Sequence, residues 1–140
     1  MPDAIAVWKK GLSFTGTALA SGFSLPMGAD RKVGGENDGF RPSELVLVGL
    51  AGCTGMDVIS ILAKKRQEVT AFEVKVHADA APSEPKRFTR FLVEYVVTGT
   101  AIDRASVERA VELSETKYCT VMNTLRPSTP IERRITIREG

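Results

Sequence analysis

The stretch RPSELVLVGLAGCTGMDV, residues 41–58, decides the fold of this chain. Proline is favoured at the first helical position, where its missing N–H would have no partner, so Pro42 marks a helix start. Glu44 suits the first turn because negative charge interacts favourably with the free backbone N–H groups there. Residues 45–62 are apolar on almost every side. We expect this helix to run to about Arg66 and to be buried in the core of the chain or of an oligomer.

Segments in which apolar and polar residues alternate lie on both sides of this helix, and they predict strands. Residues 4–20 give a weakly alternating strand pair, and the segments 72–79, 88–98 and 131–138 alternate clearly. Between the last two of them, Asp103 is suited to cap a second helix. The resulting order is strands, long helix, two strands, helix, strand. It predicts an α+β fold with antiparallel sheet.

Size and composition predict one globular domain, residues 1–140. The chain is 43% hydrophobic and 26% charged, which is typical of soluble proteins, and its net charge of +2 is too small to suggest nucleic-acid binding. The N-terminal residues do not resemble a signal peptide. The apolar run 45–56 is too short to span a bilayer, and Glu44 and Asp57 bound it. We therefore expect a cytoplasmic protein that binds neither nucleic acid nor a membrane.

The chain contains two cysteines, which suggest redox chemistry. Cys53 lies within the apolar helix, and Cys119 lies in KYCTV after the second helical pattern. Cytoplasmic cysteines are more often free or catalytic than bridged, although many free cysteines are inert core residues. Both interpretations remain open from the residues alone. A reactive thiolate in the middle of a helix would need a cation from elsewhere, most plausibly an arginine.

The sequence predicts neither a metal nor a cofactor. Two distant cysteines and one histidine do not supply the three or four ligands of a zinc site. The glycine-rich loop at residues 34–39 is not followed by the GK[ST] motif of a phosphate-binding loop.

A family resemblance adds to this interpretation. The stretch 41–58 resembles the central-helix motif of the OsmC/Ohr family of hydroperoxide-resistance proteins, and KYCTV at 117–121 resembles its second cysteine signature. The stretches 34–45 and 53–67 look most like the YhfA-like branch. The resemblance implies an intertwined homodimer of α+β subunits. Antiparallel sheets from both chains would wrap around two long central helices, with two active sites at the interface.

The resemblance also implies an activity, the reduction of organic hydroperoxides in oxidative-stress defence. Cys53 would attack the distal peroxide oxygen and become a sulfenic acid, and Cys119 would condense with it to form a disulfide. A dithiol such as dihydrolipoamide, free or on a lipoylated protein, would then reduce the disulfide. Apolar side chains such as Leu47, Leu50 and Met56 would suit an alkyl tail.

In this family an arginine and a glutamate hold the thiolate. The glutamate usually follows the proline that opens the helix, but Ser43 occupies that position here and Glu44 comes one residue later. Arg31 aligns best with the family's loop arginine, and Arg41 is an alternative cation nearer in sequence. The resemblance therefore implies a catalytic set of Cys53, Cys119, Glu44 and Arg31, or Arg41 in place of Arg31.

Two other functions stay open at this point. The same fold could serve as a non-catalytic protein that binds a small apolar ligand or a protein partner. It could also serve as a redox sensor, in which oxidation of the two thiols changes the dimer.

Overall fold

Two three-stranded sheets and three α-helices make up the computed structural model, which describes residues 3–140. The first two residues of the predicted 1–140 domain lie outside this range. Contacts within the chain divide it into two compact units, Met1–Val46 and Leu47–Gly140.

The first unit contains an antiparallel sheet. Its strands are β1 (Ala4–Lys10), β2 (Ser13–Ala18) and β3 (Ser24–Met27), paired in that order. The predicted strand pair is therefore confirmed. The sequence did not indicate β3, because it is only four residues long and contains Pro26, which cannot donate a ladder hydrogen bond.

The second unit contains a mixed sheet, which corrects the predicted antiparallel one. Its strands are β4 (Glu68–Ala80), β5 (Phe88–Thr100) and β6 (Ile131–Glu139), in that spatial order. All three were predicted. The pair β4–β5 is antiparallel, but β5 and β6 are parallel. The helical segment between β5 and β6 returns the chain to the end of the sheet where β5 began, and such a crossover joins parallel strands.

The two predicted helices begin where the sequence places them. Helix α1 spans Pro42–Lys64, slightly shorter than expected, and α2 spans Arg104–Leu113. Asp103 caps α2 by accepting a hydrogen bond of 3.2 Å from the backbone N–H of Ser106. A third helix, α3 (Thr120–Leu125), was not predicted because six residues are too few to show a helical period.

Helix α1 supplies one wall of the core of the second unit. The buried residues of this helix recur every four positions and therefore share one face: Leu50, Thr54, Val58 and Leu62. The other buried apolar side chains come mainly from β5, α2 and α3: Phe91, Val93, Tyr95, Val96, Val97, Val107, Ala110, Val111, Cys119 and Met122. Other apolar residues of α1, such as Val48 and Met56, are exposed within the single chain.

The length of α1 bears on the expectation that the apolar run is too short to cross a membrane. The apolar run 45–56 is too short for a bilayer, but the whole helix has 23 residues and a stretch of mean hydropathy 2.0, enough to cross one by length and composition. The core helix of a soluble protein meets the same criterion. The buried face of α1 packs against protein in the second unit.

Candidate active site

Folding of the second unit brings the two cysteine thiols together. Cys119 is fully buried, Cys53 is half-buried against the same core, and both are free thiols. Burial, the neighbouring Cys53 thiol and the Asp57 carboxylate together raise the pKa of Cys119 to about 12. The two cysteines are therefore neighbours in the core of the second unit.

A π-helical turn, Ser114–Tyr118, sets the position of Cys119. The backbone N–H of Cys119 donates to the carbonyl of Ser114 over 2.8 Å, which closes the wide turn. The Cys119 sulfur accepts a hydrogen bond of 3.3 Å from the backbone N–H of Met122 and so caps α3. The sulfur of Cys119 is therefore a structural contact of the next helix.

Beside the thiols, three buried hydroxyls and one carboxylate form a chain. Thr54 Oγ1 lies 2.9 Å from Tyr95 Oη and 2.7 Å from Ser114 Oγ. Ser114 Oγ donates to Asp57 Oδ2 over 2.8 Å. Thr54, Tyr95 and Ser114 are completely buried, and Asp57 is half-buried.

Sequence reasoning did not connect these polar groups, and it named Asp57 only as the residue that bounds the apolar run. A signal was present, because Thr54 lies one helical turn from both Leu50 and Val58 on an apolar face. Ser114 similarly continues the apolar face of α2. A buried hydroxyl must find a hydrogen-bond partner, but the sequence does not say which one.

The predicted activating residues Glu44 and Arg41 contact each other at the start of α1. The Glu44 carboxylate accepts a hydrogen bond of 2.8 Å from the backbone N–H of Arg41, in the manner of a capping box. The Arg41 guanidinium donates to Gly39 O at 3.0 Å and to Asn37 Oδ1 at 2.6 Å. Both residues thus contribute to the structure of the first unit, and their action on Cys53 stays a prediction.

Arg31, the first choice for the activating cation, begins a short 3₁₀ turn, Arg31–Val33, that Asp30 caps. Its side chain is exposed. Its role toward the thiols likewise stays a prediction.

A pocket of about 610 Å³ borders the hydroxyl chain at Asp57. Its walls combine apolar side chains with two lysines at one side: Met56, Ile61, Leu113 and Tyr118, then Lys64 and Lys65. Of the residues expected to contact an alkyl tail, Met56 does line this pocket. Leu50 does not, because it is completely buried in the core, and that expectation is corrected.

Metal-binding groups are scattered rather than clustered. Within residues 3–140, no group of three or more His, Cys, Asp and Glu side chains is arranged to hold a metal ion. The single histidine, His77, is exposed, and its Nε2 lies 2.9 Å from Asp79 Oδ1 on the same strand.

The raised pKa of Cys119 predicts a loss of stability at alkaline pH. The ordinary pKa of the thiol is 9.0, so above this pH the unfolded chain loses a proton that the folded chain keeps up to about pH 12. The stabilisation is fully present below pH 9 and is lost as the pH rises toward 12. Between about pH 8 and about pH 10, the free energy of unfolding should fall by about 1 kcal/mol more in the reduced wild type than in Cys119→Ala.

Urea denaturation of both proteins under reducing conditions measures this difference. Parallel pH dependences for the two proteins would contradict it. They would mean that Cys119 ionises as easily in the folded protein as in the unfolded chain.

Comparisons with known proteins agree with the geometry. Residues 35–134 match the family model described as OsmC-like protein. Protein YhfA of Escherichia coli K12 is 39% identical over 117 residues, which cover 81% of this chain and 81% of that protein.

Two solved structures share the fold. An OsmC-like protein from Mycoplasma pneumoniae superposes with a TM-score of 0.83 at 17% identity, covering 99% of this chain and 97% of that one. An organic hydroperoxide resistance protein OsmC from Legionella pneumophila gives a TM-score of 0.69 at 16% identity, covering 97% and 96%. The matched model spans most of the chain and YhfA is a similar relative, so this protein belongs to the OsmC/Ohr family.

Proposed function

We propose that this protein is a thiol-dependent peroxidase that reduces organic hydroperoxides, and that it acts as a cytoplasmic homodimer. The observation that supports this function best is the proximity of Cys53 and Cys119, which lie far apart in sequence and adjacent in the fold. A further support is that proteins of the same fold are described as organic hydroperoxide resistance proteins.

In the proposed reaction, the Cys53 thiolate attacks the distal oxygen of the hydroperoxide. The O–O bond breaks, an alcohol leaves after protonation, and Cys53 becomes a sulfenic acid. Cys119 then attacks the Cys53 sulfur and forms the disulfide, releasing water. A dithiol, dihydrolipoamide or a lipoylated protein, reduces the disulfide by thiol–disulfide exchange and restores both thiols.

The pocket beside Asp57 supports a substrate with an apolar body. Met56, Ile61, Leu113 and Tyr118 give it apolar walls that could bury an alkyl tail. Small polar peroxides would leave these walls in contact with water. We therefore propose organic hydroperoxides, rather than hydrogen peroxide, as the substrate class.

The exposed apolar residues of α1 support the homodimer. Met56 is 74% exposed and Val48 is 55% exposed, which is unusual for large apolar side chains on one helix. A groove of about 480 Å³ along this surface is mostly apolar, and it is lined partly by Ile59, Phe72 and Val74. A second copy of the chain would remove this surface from water.

Oxidation of the reduced protein by one equivalent of cumene hydroperoxide tests the proposed function. In the wild type both thiols should disappear rapidly, and mass spectrometry of the digest should locate a Cys53–Cys119 disulfide. In Cys119→Ser the same equivalent should be consumed, but Cys53 should remain a sulfenic acid that dimedone traps, because the resolving thiol is gone. Turnover with dihydrolipoamide then identifies an enzyme.

Two outcomes would contradict the peroxidase. Wild-type thiols that survive for hours in the hydroperoxide would show that Cys53 is not activated. A disulfide that forms only between molecules would show that Cys119 does not resolve the sulfenic acid.

The position of Cys119 favours one alternative, a redox sensor. Its sulfur caps α3, so a disulfide to Cys53 would engage the atom that accepts the hydrogen bond from Met122. A sensor would oxidise once and then be reduced slowly, with a change at α3. Steady-state turnover with a dithiol separates the two functions.

A further inference from the structure

The hydrogen bonds of the buried hydroxyl chain, formed by Tyr95, Thr54 and Ser114, can point in only one direction. The Asp57 carboxylate can only accept, so the Ser114 hydroxyl proton points to it. Ser114 must then accept from Thr54, because its single proton is already used. By the same count Thr54 accepts from Tyr95. All three hydroxyl protons are therefore aligned toward Asp57.

Asp57 lies beside Cys53 and is connected to the segment that carries Cys119. It follows Cys53 by four positions on α1, and side chains four apart on a helix are neighbours. On the other side, Ser114 donates to Asp57 with its hydroxyl and accepts from the Cys119 N–H with its carbonyl. Ser114 thus connects the carboxylate to the segment that carries the resolving thiol.

The carboxylate forms no ion pair among residues 3–140, although Lys64 and Lys65 line the same pocket. Among residues 3–140, no lysine, arginine or histidine nitrogen lies within 4.0 Å of the Asp57 oxygens, and its side-chain hydrogen bond comes from Ser114. A carboxylate oxygen that is not engaged in an ion pair is free to accept a proton.

We propose that Asp57, oriented by the Tyr95–Thr54–Ser114 hydroxyl chain, is the base that takes the proton from Cys119 when the disulfide forms. This inference rests on the proposed function, because its starting state is the Cys53 sulfenic acid.

The step balances within the site. The Cys119 sulfur attacks the Cys53 sulfur, the S–S bond forms, and the S–O bond of the sulfenic acid breaks. The Cys119 proton moves to an Asp57 oxygen and then to the departing hydroxide, which leaves as water. The Cys119 sulfur is oxidised and the Cys53 sulfur is reduced by the same amount, so no further oxidant or reductant is needed.

Cys119 needs such a base. With a pKa of about 12, only about one Cys119 thiol in 10⁵ is ionised at pH 7. Besides burial, the Cys53 thiol and the Asp57 carboxylate raise the pKa of Cys119, while Glu115, Cys119 and Arg133 shift the pKa of Tyr95. Of Cys53 and Asp57, only the Asp57 carboxylate can accept a proton without being one of the reacting sulfurs.

The variant Asp57→Asn tests this role, because the amide oxygen can still accept from Ser114 but cannot take up a proton. Reduced protein is mixed with one equivalent of cumene hydroperoxide and quenched at intervals, and mass spectrometry follows dimedone-trapped sulfenic acid and disulfide separately. We expect Asp57→Asn to form the sulfenic acid and to close the disulfide about 100-fold more slowly than the wild type.

The pH profile of closure distinguishes a base from a structural residue. Wild-type closure should be nearly constant between about pH 6 and about pH 9. In Asp57→Asn it should rise by about tenfold per pH unit, because only thiolate generated from bulk hydroxide can attack. A purely structural role for Asp57 would slow closure without this slope.

Two matched variants complete the test. Asp57→Glu keeps a base and should restore fast, pH-independent closure. Asp79→Asn removes the same charge from an ion pair with Arg90 (2.8 Å in the native protein). It should form the disulfide at the wild-type rate.

Three results would overturn the inference. They are equal closure rates in Asp57→Asn and wild type, a wild-type closure rate that already rises tenfold per pH unit, and an Asp57→Glu variant as slow as Asp57→Asn. The pH dependence of wild-type closure tests the role of Asp57 even if Asp57→Asn does not fold. A wild type that never forms the sulfenic acid would instead refute the proposed peroxidase, on which the inference rests.

Discussion

Replacement of Cys53 by serine is expected to lower the rate of organic hydroperoxide reduction at least about a thousandfold. A serine hydroxyl is nearly the same size as a thiol but is a far weaker nucleophile toward the O–O bond near neutral pH, so the first step stops. Because Cys53 is half-buried, the substitution should leave the fold intact. The measurement is consumption of cumene hydroperoxide with dihydrolipoamide as reductant.

Cys119→Ser is the matched control, since it also exchanges one thiol for a hydroxyl. It should consume one equivalent of hydroperoxide, whereas Cys53→Ser should consume none in the same time. Thermal unfolding of both variants shows whether they remain folded. If Cys53→Ser kept a tenth or more of the wild-type rate, Cys53 would not be the peroxidatic residue.

Replacement of Thr54 by valine is expected to lower the free energy of unfolding by about 2 kcal/mol. Valine has almost the shape of threonine, so the loss comes from hydrogen bonding and not from a cavity. Among residues 3–140, Thr54 is the only hydrogen-bond partner of the buried Tyr95 hydroxyl. The substitution leaves that hydroxyl buried without a partner, while Ser114 still donates to Asp57. Urea denaturation with an unchanged m-value measures the effect.

A double-mutant cycle with Tyr95→Phe isolates this hydrogen bond. Tyr95→Phe removes the hydroxyl together with its need for a partner, so we expect it to cost about 1 kcal/mol. In the double variant no donor is left unpaired, and its loss should be at least about 1 kcal/mol smaller than the sum of the two single losses. Additive losses would show that the Thr54–Tyr95 contact contributes nothing to stability.

The elements of the fold were largely predictable because their signals are local. The start of α1 at Pro42 follows from the backbone chemistry of proline, and the cap of α2 follows from the Asp103 side chain. The strands β4, β5 and β6 follow from alternation along the chain. Each of these features is encoded by a few neighbouring residues.

The features that were missed depend on contacts between distant segments. The parallel pairing of β6 with β5 depends on the path of the chain between them. The π-helical turn Ser114–Tyr118 has no simple sequence period, yet it sets the position of Cys119. The roles of Glu44 and Arg31 toward Cys53 came from the family pattern alone and stay predictions, because a pattern does not give the position of a side chain.

The sequence by itself therefore determined the order of the longer helices and strands, the family, and the two cysteines as the candidate reactive groups, because periodicity, caps and motifs are properties of neighbouring residues. Only the tertiary structure decided that Cys53 and Cys119 are adjacent and that Thr54, Tyr95 and Ser114 direct their protons to Asp57. The physical reason is that a buried polar group must be paired, but its partner is chosen by how the segments pack.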